Sequence, residues 1–388
     1  MFMTFRIDKL GVVIAALLAY GAFLAPFASF RANRIVPGEA KGILEALPEA
    51  LGVTPLGFVA SAIVVVALKT PTVFRLLLGL AALLVLAILV GLSAGHLTPP
   101  ENTYARVSPA SGFWLLSFAF ALLTADALAR LRLSPLARVA LLAAVAAAAA
   151  GLLISGVWDG LSILKEYGSR ADSFWLEAGR HVVLALGSLV AATLVGLPLG
   201  ILCHRVEALR AGVLNVLNII QTIPSIALFG LLIAPLGWVA LHVPGAAALG
   251  IRGIGAAPAF IALFLYSLLP VVANTVVGLA GVPRDANDAA RGIGMTDGQR
   301  LFRIELPLAF PVILTGIRIV LVQNIGLATI AALIGGGGFG VFVFQGIGQT
   351  AMDLVLLGAV PTVALAFAAA IVLDAATELS SRQFGRTA

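Results

Sequence analysis

Ten apolar runs follow one another along this chain, separated by short polar gaps. They lie at 10–30, 51–68, 72–93, 112–129, 136–157, 181–203, 211–234, 257–280, 308–334 and 353–376. A bilayer core is crossed by roughly 20 residues of helix. In hydrocarbon the backbone N–H and C=O groups have no water to bond, so such a run is stable there only as a helix or in a closed barrel. Composition points the same way: 61% of the 388 residues are hydrophobic and 11% are charged, against about 25% charged in soluble domains. Mean hydropathy is +1.10. So few charges cannot build a wetted shell. The expected fold class is an all-α membrane protein with about ten transmembrane helices.

The net charge is +6. In a soluble protein this would suggest nucleic acid, but here the Lys and Arg stand singly in the gaps. That pattern fits membrane topology and no nucleic-acid partner. With the N-terminus in the cytoplasm, 15 Lys and Arg, Arg6 and Arg386 among them, fall in inner gaps and 8 in outer gaps, with Arg318 inside the ninth run. This obeys the positive-inside rule. Both termini are therefore expected to be cytoplasmic, in a multi-pass bacterial inner-membrane protein bathed in lipid. The first run follows Arg6 and Lys9. It is long for a signal-peptide core, which favours an uncleaved first span. The one cysteine, Cys203, excludes an intrachain disulfide, and the four His show no metal-ligand spacing.

The chain reads as two regions. Residues 1–158 carry about five spans with little polar content, including an Ala-rich run at 143–150 that suits a lipid-facing or closely packed helix. Residues 159–180 read as a polar outer connector. The region 174–388 carries five spans and most of the informative residues.

The longest inner gap, 283–307, begins and ends near proline. Asp288, Ala289 and Ala290 begin a short helical run that Gly294 closes. Thr296 or Asp297 can cap a second, through Gln299 to Glu305, which Pro307 is expected to stop. Ala289 and Ala290 are small enough for a partner to come close. Spacing alone leaves two readings: a docking elbow, or an amphipathic loop touching headgroups.

The same residues resemble the EAA motif of ABC importer permeases: E-A-A, three residues, G, nine residues, I, one residue, L-P. Here stand Asp288-Ala289-Ala290, Gly294, Ile304, Leu306 and Pro307. Each spacing agrees, and Asp288 replaces Glu. The resemblance implies that these seven residues couple the chain to a separate ABC ATPase subunit, which holds the ATP, so no cofactor is expected in this chain. It also implies a C-terminal five-helix importer-permease core (MetI-like), a second permease, identical or shorter, and a periplasmic substrate-binding protein. The runs Asn218-IIQTIPSIALFGLL-Ile233 and Leu333-IGGGGFGVFVFQGI-Gly348 resemble permeases for glycine betaine, choline and carnitine. A long chain with extra N-terminal helices is similar to the YehY-type subunit of osmoprotectant uptake systems. The solute implied is a small quaternary amine. No aromatic cage is evident in the spans, which leaves selection with the binding protein.

Polar residues within the spans are the other candidates. Asn215, Asn218, Thr222 and Ser225 are spaced 3, 4 and 3, so they share one face of a helix, with Gln221 beside them. They either line a pathway or bond between helices. The same two readings apply to Asn274, Thr275, Gln323 and Asn324. Arg318 is either a functional intramembrane charge or a snorkelling one. Gly335–Gly338 lack the Lys-Ser/Thr of a phosphate loop and read as a tight turn or re-entrant bend. Gly196 and Gly200 suit close helix packing. No nucleotide-binding P-loop, H-E-x-x-H or nucleophile elbow occurs, so the chain is not expected to be an enzyme. Two other classes stay in view. An ion-driven secondary transporter would want midplane carboxylates or a repeat, whereas Asp126 and Asp374 lie near span ends. A membrane enzyme would want convergent His, Asp or Cys.

Overall fold

The computed structural model describes residues 8–34 and 36–383; Arg6 and Arg386 of the charge count lie outside them. The chain divides into two compact units, Met1–Ser169 and Arg170–Ala388.

The first unit runs α1 (Lys9–Phe23), β1 (Ala28–Arg31), β2 (Glu39–Lys41), α2 (Ile43–Ala46), α3 (Thr54–Ala67), α4 (Thr72–Leu97), β3 (Arg106–Pro109), α5 (Ser111–Leu131), α6 (Pro135–Ile154) and α7 (Ser162–Ser169). The first apolar run does not stay helical to residue 30. Pro26 cannot continue a helix and restrains its predecessor, so α1 stops at Phe23 and the chain turns into a strand. The sheet, ordered β2-β1-β3 and antiparallel, departs from the all-helical expectation. It pairs loop backbone that would otherwise need water. Its register sets Phe30 against Val107 and against Glu39.

At the opposite end of this unit a charge cluster ties four helix ends together. Arg75, 2% exposed, reaches Asp8 at 2.7 Å and Asp126 at 3.5 Å. It also donates to Val66 O at 2.9 Å and Leu68 O at 3.1 Å, the carbonyls that α3 leaves open at its C-terminus. Asp8 caps α1 through the Leu10 and Gly11 N–H groups, and Arg130 pairs with Asp126 at 2.9 Å. Burial alone would raise the Asp8 carboxyl. The Gly11 N–H, Arg75 and Arg130 outweigh it and hold the group below its ordinary range. The Ala-rich α6 has no buried residue except Pro135.

The second unit runs α8 (Ala171–Arg205), α9 (Glu207–Thr222), α10 (Ser225–Leu231), α11 (Ile233–His242), α12 (Ala256–Ala280), α13 (Arg284–Gly292), α14 (Asp297–Arg300), a π-turn (Leu301–Glu305), α15 (Leu306–Ile330), α16 (Gly340–Gly348) and α17 (Met352–Gln383). Residues 171–180, read above as part of a connector, are the first three turns of α8. Glu177 among them is buried and bonds a glycine loop, as described below, while Asp172, Ser173 and Arg180 are exposed. α8 packs along α12 through the two glycines of its G-x-x-x-G. A Cβ on Gly196 would lie 2.8 Å from Val271 Cγ1, and one on Gly200 would lie 2.5 Å from Thr275 Cβ. Pro224 divides the seventh run into α9 and α10, and helix continues past residue 234 to His242.

Among the described residues eight helical stretches are long and apolar enough to cross a membrane: α4, α5, α6, α8, α10 with α11, α12, the run from α14 through α15, and α17. α1 and α3 are apolar but shorter, at 15 and 14 residues. This is a multi-pass membrane fold.

Candidate functional site

The elbow 283–307 is built by local backbone chemistry. α13 starts at Arg284, four residues before Asp288, because Pro283 with its fixed φ makes a ready helix start. It closes in a Schellman motif: the Gly294 N–H donates to Arg291 O at 2.9 Å and the Met295 N–H to Ala290 O at 3.1 Å. Gly294 sits at φ +84°, and a Cβ there would meet nothing within 4 Å. The demand for glycine is thus conformational, not one of space. Thr296 then opens α14 with a full capping box: its Oγ1 accepts from the Gln299 N–H and Gln299 Oε1 accepts from its own N–H.

Pro307 does not stop the second helix. It lies in the first turn of α15, where a missing N–H breaks little. The π-turn before it, closed by the Leu306 N–H on Leu301 O, lets helix run on into the span.

The motif residues sort into two sets. Asp288, Ala289 and Gly294 are exposed, together with Arg291. Ala290 is 3% exposed, so it faces the elbow's interior and offers no surface for close approach. Ile304, Leu306 and Pro307 are half-buried. Leu301, Leu306 and Leu308 pack against Leu279, Val282, Ala309 and Ile313. Two large apolar side chains of the elbow outside the motif are exposed: Ile293 at 75% and Phe302 at 70%. Solvent-exposed side chains of that size on a rigid, charged mount suit a docking surface.

Behind the elbow lies an ionic group that the sequence reading did not single out. Glu305, 3% exposed, accepts from Arg205 at 2.5 Å; Arg205 is the last residue of α8. Arg300, 4% exposed, lies 3.8 Å from the other Glu305 oxygen and pairs with Asp297 at 2.7 Å. The signal was present: an ionisable side chain between Ile304 and Leu306, in a set otherwise given to apolar packing.

The intramembrane candidates are not brought together. Asn215, Asn218 and Thr222 are exposed on one side of α9, while Val213, Leu214, Leu217 and Ile220 pack inward. Ser225 is half-buried and opens α10, so it leaves that face; the break at Pro224 ends the helical register on which the spacing relied. Gln221 has a structural partner. Pro270 removes an N–H from α12 and frees Tyr266 O, and Gln221 Nε2 donates to that carbonyl at 2.8 Å. The Tyr266 hydroxyl in return donates to Ile223 O, at the break before α10. Asn274 turns back on Pro270 O at 2.8 Å, and Thr275 on Val271 O at 2.7 Å. Gln323 is half-buried. Asn324 is fully buried and donates to Ser188 Oγ and Ser267 Oγ, each at 2.9 Å, joining α8, α12 and α15. Arg318 pairs with Asp374 of α17, so each charge of the span has a counter-ion.

Gly335–Gly338 fold against the start of α8. The Gly338 N–H donates to Glu177 Oε2 at 2.6 Å and the Phe339 N–H to His181 Nδ1 at 3.4 Å. A Cβ on Gly337 would come within 2.6 Å of that carboxylate. Phe174, Phe339 and Phe342 stack here with centroids 5.4 and 6.1 Å apart, and His181 lies 4.9 Å from Phe339. The rings come from two distant segments, so their meeting is invisible in any one span. They cover one another's faces rather than framing an open cage.

Known proteins resemble this chain in sequence. A family model described as ABC transporter permease YehY, N-terminal domain, matches residues 8–164. Another, described as binding-protein-dependent transport system inner membrane component, matches 196–386. The chain is 37% identical to the choline transport system permease protein OpuBB of Bacillus subtilis over 52% of this chain and 84% of that one. It is 45% identical to the osmoprotectant import permease protein OsmW of Salmonella typhimurium over 50% and 81%. With the glycine betaine/carnitine/choline transport system permease protein OpuCB of Bacillus subtilis it shares 36% over 53% and 86%. A chain of the inward-facing MetNI methionine ABC transporter aligns with a TM-score of 0.46 at 21% identity, over 54% of this chain and 95% of that one. The three permeases are each matched over 81% or more of their length at 36% identity or better, and the chain belongs to the family of binding-protein-dependent transport system inner membrane components, the permease subunits of ABC importers.

Proposed function

We propose that this chain is the membrane-spanning subunit of an ATP-driven importer for a small quaternary-amine osmolyte of the glycine betaine, choline or carnitine kind. The substrate class rests on the relatives, whose names are those of choline, carnitine and osmoprotectant permeases. The coupling role rests on the elbow. Its Schellman turn and capping box hold Asp288, Ala289 and Ile293 outward, and Phe302 is exposed on the π-turn that follows. Gly294 makes the turn, Ala290 fills the elbow's interior, Leu306 seats it on the bundle, and half-buried Ile304 and Pro307 flank that contact. A separate ABC ATPase subunit would receive that face and bind the ATP. Both termini and the elbow lie on the cytoplasmic side in this reading, and a periplasmic binding protein delivers solute opposite. A second permease, identical or shorter, would cover the exposed side of α9, where Asn215, Asn218 and Thr222 line the passage; Gln323 and Asn274 are weaker members of that lining.

The test uses the permease with its cognate ATPase and binding protein in proteoliposomes. Uptake of radiolabelled glycine betaine, choline or carnitine is expected to require ATP. A cysteine at Ala289 is expected to cross-link to the ATPase subunit, whereas one at Ala290 is not, being buried. Uptake that follows an ion gradient without ATP, or an Ala289 cysteine that captures lipid alone, overturns the proposal.

A further inference from the structure

The elbow is joined to the bundle by the chain itself, into α12 at one end and α15 at the other, by the apolar packing of Leu301, Leu306 and Leu308, and by an ion pair. Two of these links differ in stiffness. One is the covalent path into α15, which passes through the π-turn at Leu301–Glu305. A π-turn widens the helix and interrupts its regular bonding, and such turns gather at places that bend. The other is side-chain mediated and runs from Glu305 to the terminal residue of α8.

Its geometry is that of a fixed contact. Glu305 is buried, and its two oxygens face two guanidinium groups: Arg205 at 2.5 Å, from α8, and Arg300 at 3.8 Å, from the elbow itself. Arg300 is held in turn by Asp297 at 2.7 Å, in the first turn of α14. The end of α8 is further fastened by Arg210, whose Nε donates to Cys203 O at 3.2 Å and whose Nη2 donates to His204 O at 3.4 Å, closing carbonyls that the helix leaves open. Apolar side chains of similar volume would hold a static contact at least as well as a buried ion pair. What the ion pair adds is a single register between two elements.

α8 itself is a lever. From Arg205 at one end to Glu177 at the other, 28 residues of helix span about 42 Å. At its far end Glu177, 7% exposed, holds the Gly338 N–H. Pro198 divides this span, so movement of the near end reaches Glu177 through a proline joint and not along one rigid rod.

We propose that Glu305 is a positioning residue that clamps the elbow to Arg205, so that movement of the elbow passes into α8 and not only into α15. This rests on the reading of the elbow as the ATPase-docking surface. It goes beyond that reading by naming the helix that receives the work and the carboxylate that delivers it.

The experiment compares uptake per ATP hydrolysed in proteoliposomes of the complete transporter. For Glu305→Gln, which is nearly isosteric, the expected result is an undiminished Ala289-cysteine cross-link, ATP hydrolysis within twofold of the parent, and uptake per ATP at least tenfold lower. Arg205→Met is expected to reproduce this, and the double variant to be no worse than either single, since both break one link. Arg205→Lys keeps the charge without the forked geometry and is expected to lose about threefold; it stands in should Glu305→Gln fail to reach the membrane. Uptake per ATP within twofold of the parent in Glu305→Gln overturns the clamp, as do losses that multiply in the double variant. A cross-link lost only in Glu305→Gln also overturns it, because the residue would then serve docking. A parent protein that shows no Ala289 cross-link refutes the elbow reading instead, and the two failures are thereby told apart.

Discussion

Asn324 separates two readings that spacing left open, pathway lining and helix glue. Its amide donates to Ser188 Oγ and Ser267 Oγ at 2.9 Å from a fully buried position. Each serine also donates to the carbonyl one turn back, Leu184 O and Leu263 O, at 2.6 Å. Asn324→Ala therefore leaves no hydroxyl without an acceptor. Interhelical side-chain bonds of this kind are worth about 0.6 kcal/mol each in a membrane protein. The void left by the amide group adds a cost on the order of 1 kcal/mol, for a total of about 2 kcal/mol. At about 2–4 °C per kcal/mol for a unit of this size, melting in detergent should fall by about 4–8 °C. The protein carries its own reporter, since its one cysteine, Cys203, is fully buried and reacts with a thiol dye only on unfolding. Asn324→Leu refills most of the volume and needs no partner, so it should recover at least half of the loss, and its uptake should stay within a few-fold of the parent. An Asn324→Leu protein that melts like the parent yet carries no solute would refute the glue assignment and return Asn324 to the pathway.

Gly294→Ala places a Cβ at φ +84°, where a left-handed conformation costs about 1–2 kcal/mol. The bundle should melt as before, while trypsin should cut the free permease faster at Arg291 and Arg303 and uptake should fall; unchanged cleavage would show the turn to be unimportant. Arg75→Met strips Asp8 and Asp126 of their buried partner and should cost about 3–5 kcal/mol, read as lost membrane yield or early aggregation on heating. Replacing Arg75, Asp8 and Asp126 together by apolar residues should recover most of it, and a triple variant worse than Arg75→Met would contradict the ion-pair account.

What was legible in the sequence was what depends on local order. Hydropathy places the long helices because a run of twenty apolar residues has few other ways to satisfy its backbone. The elbow could be read because a Schellman glycine and a Thr-x-x-Gln box are encoded within a few positions. Gly196 and Gly200 announced a close approach, and Val271 and Thr275 fill it. The misreadings arose where a distant partner changes the meaning of a residue. Residues 171–180 look like a wetted connector until Glu177 meets Gly338. Gln221 could not be divided between lining and bonding between helices until Pro270, 49 positions on, was seen to free the carbonyl it bonds. Pro307 looks like a stop signal until the π-turn before it absorbs the ring. Ala290 looks like an access point because smallness permits close approach equally from inside the elbow and from outside.

The case of Gln221 belongs to a wider pattern among the prolines of the second unit. Pro198, Pro270, Pro311 and Pro361 each interrupt a membrane helix, and Pro224 separates α9 from α10. In water a freed carbonyl is solvated at little cost; in a bilayer it needs a donor from the protein. At Pro270 that donor is Gln221, and the bond is answered by the Tyr266 hydroxyl on Ile223 O, so the weak point of α12 is fastened to the break before α10. α12 thus has one weak point in its backbone bonding, and that point is tied to a neighbouring segment. A helix fastened in this way bends, if it bends, at a joint whose position relative to α10 is fixed. The same division is visible at the elbow: the Schellman turn and the capping box fix α13 and α14, while the π-turn that carries Phe302 joins them to α15.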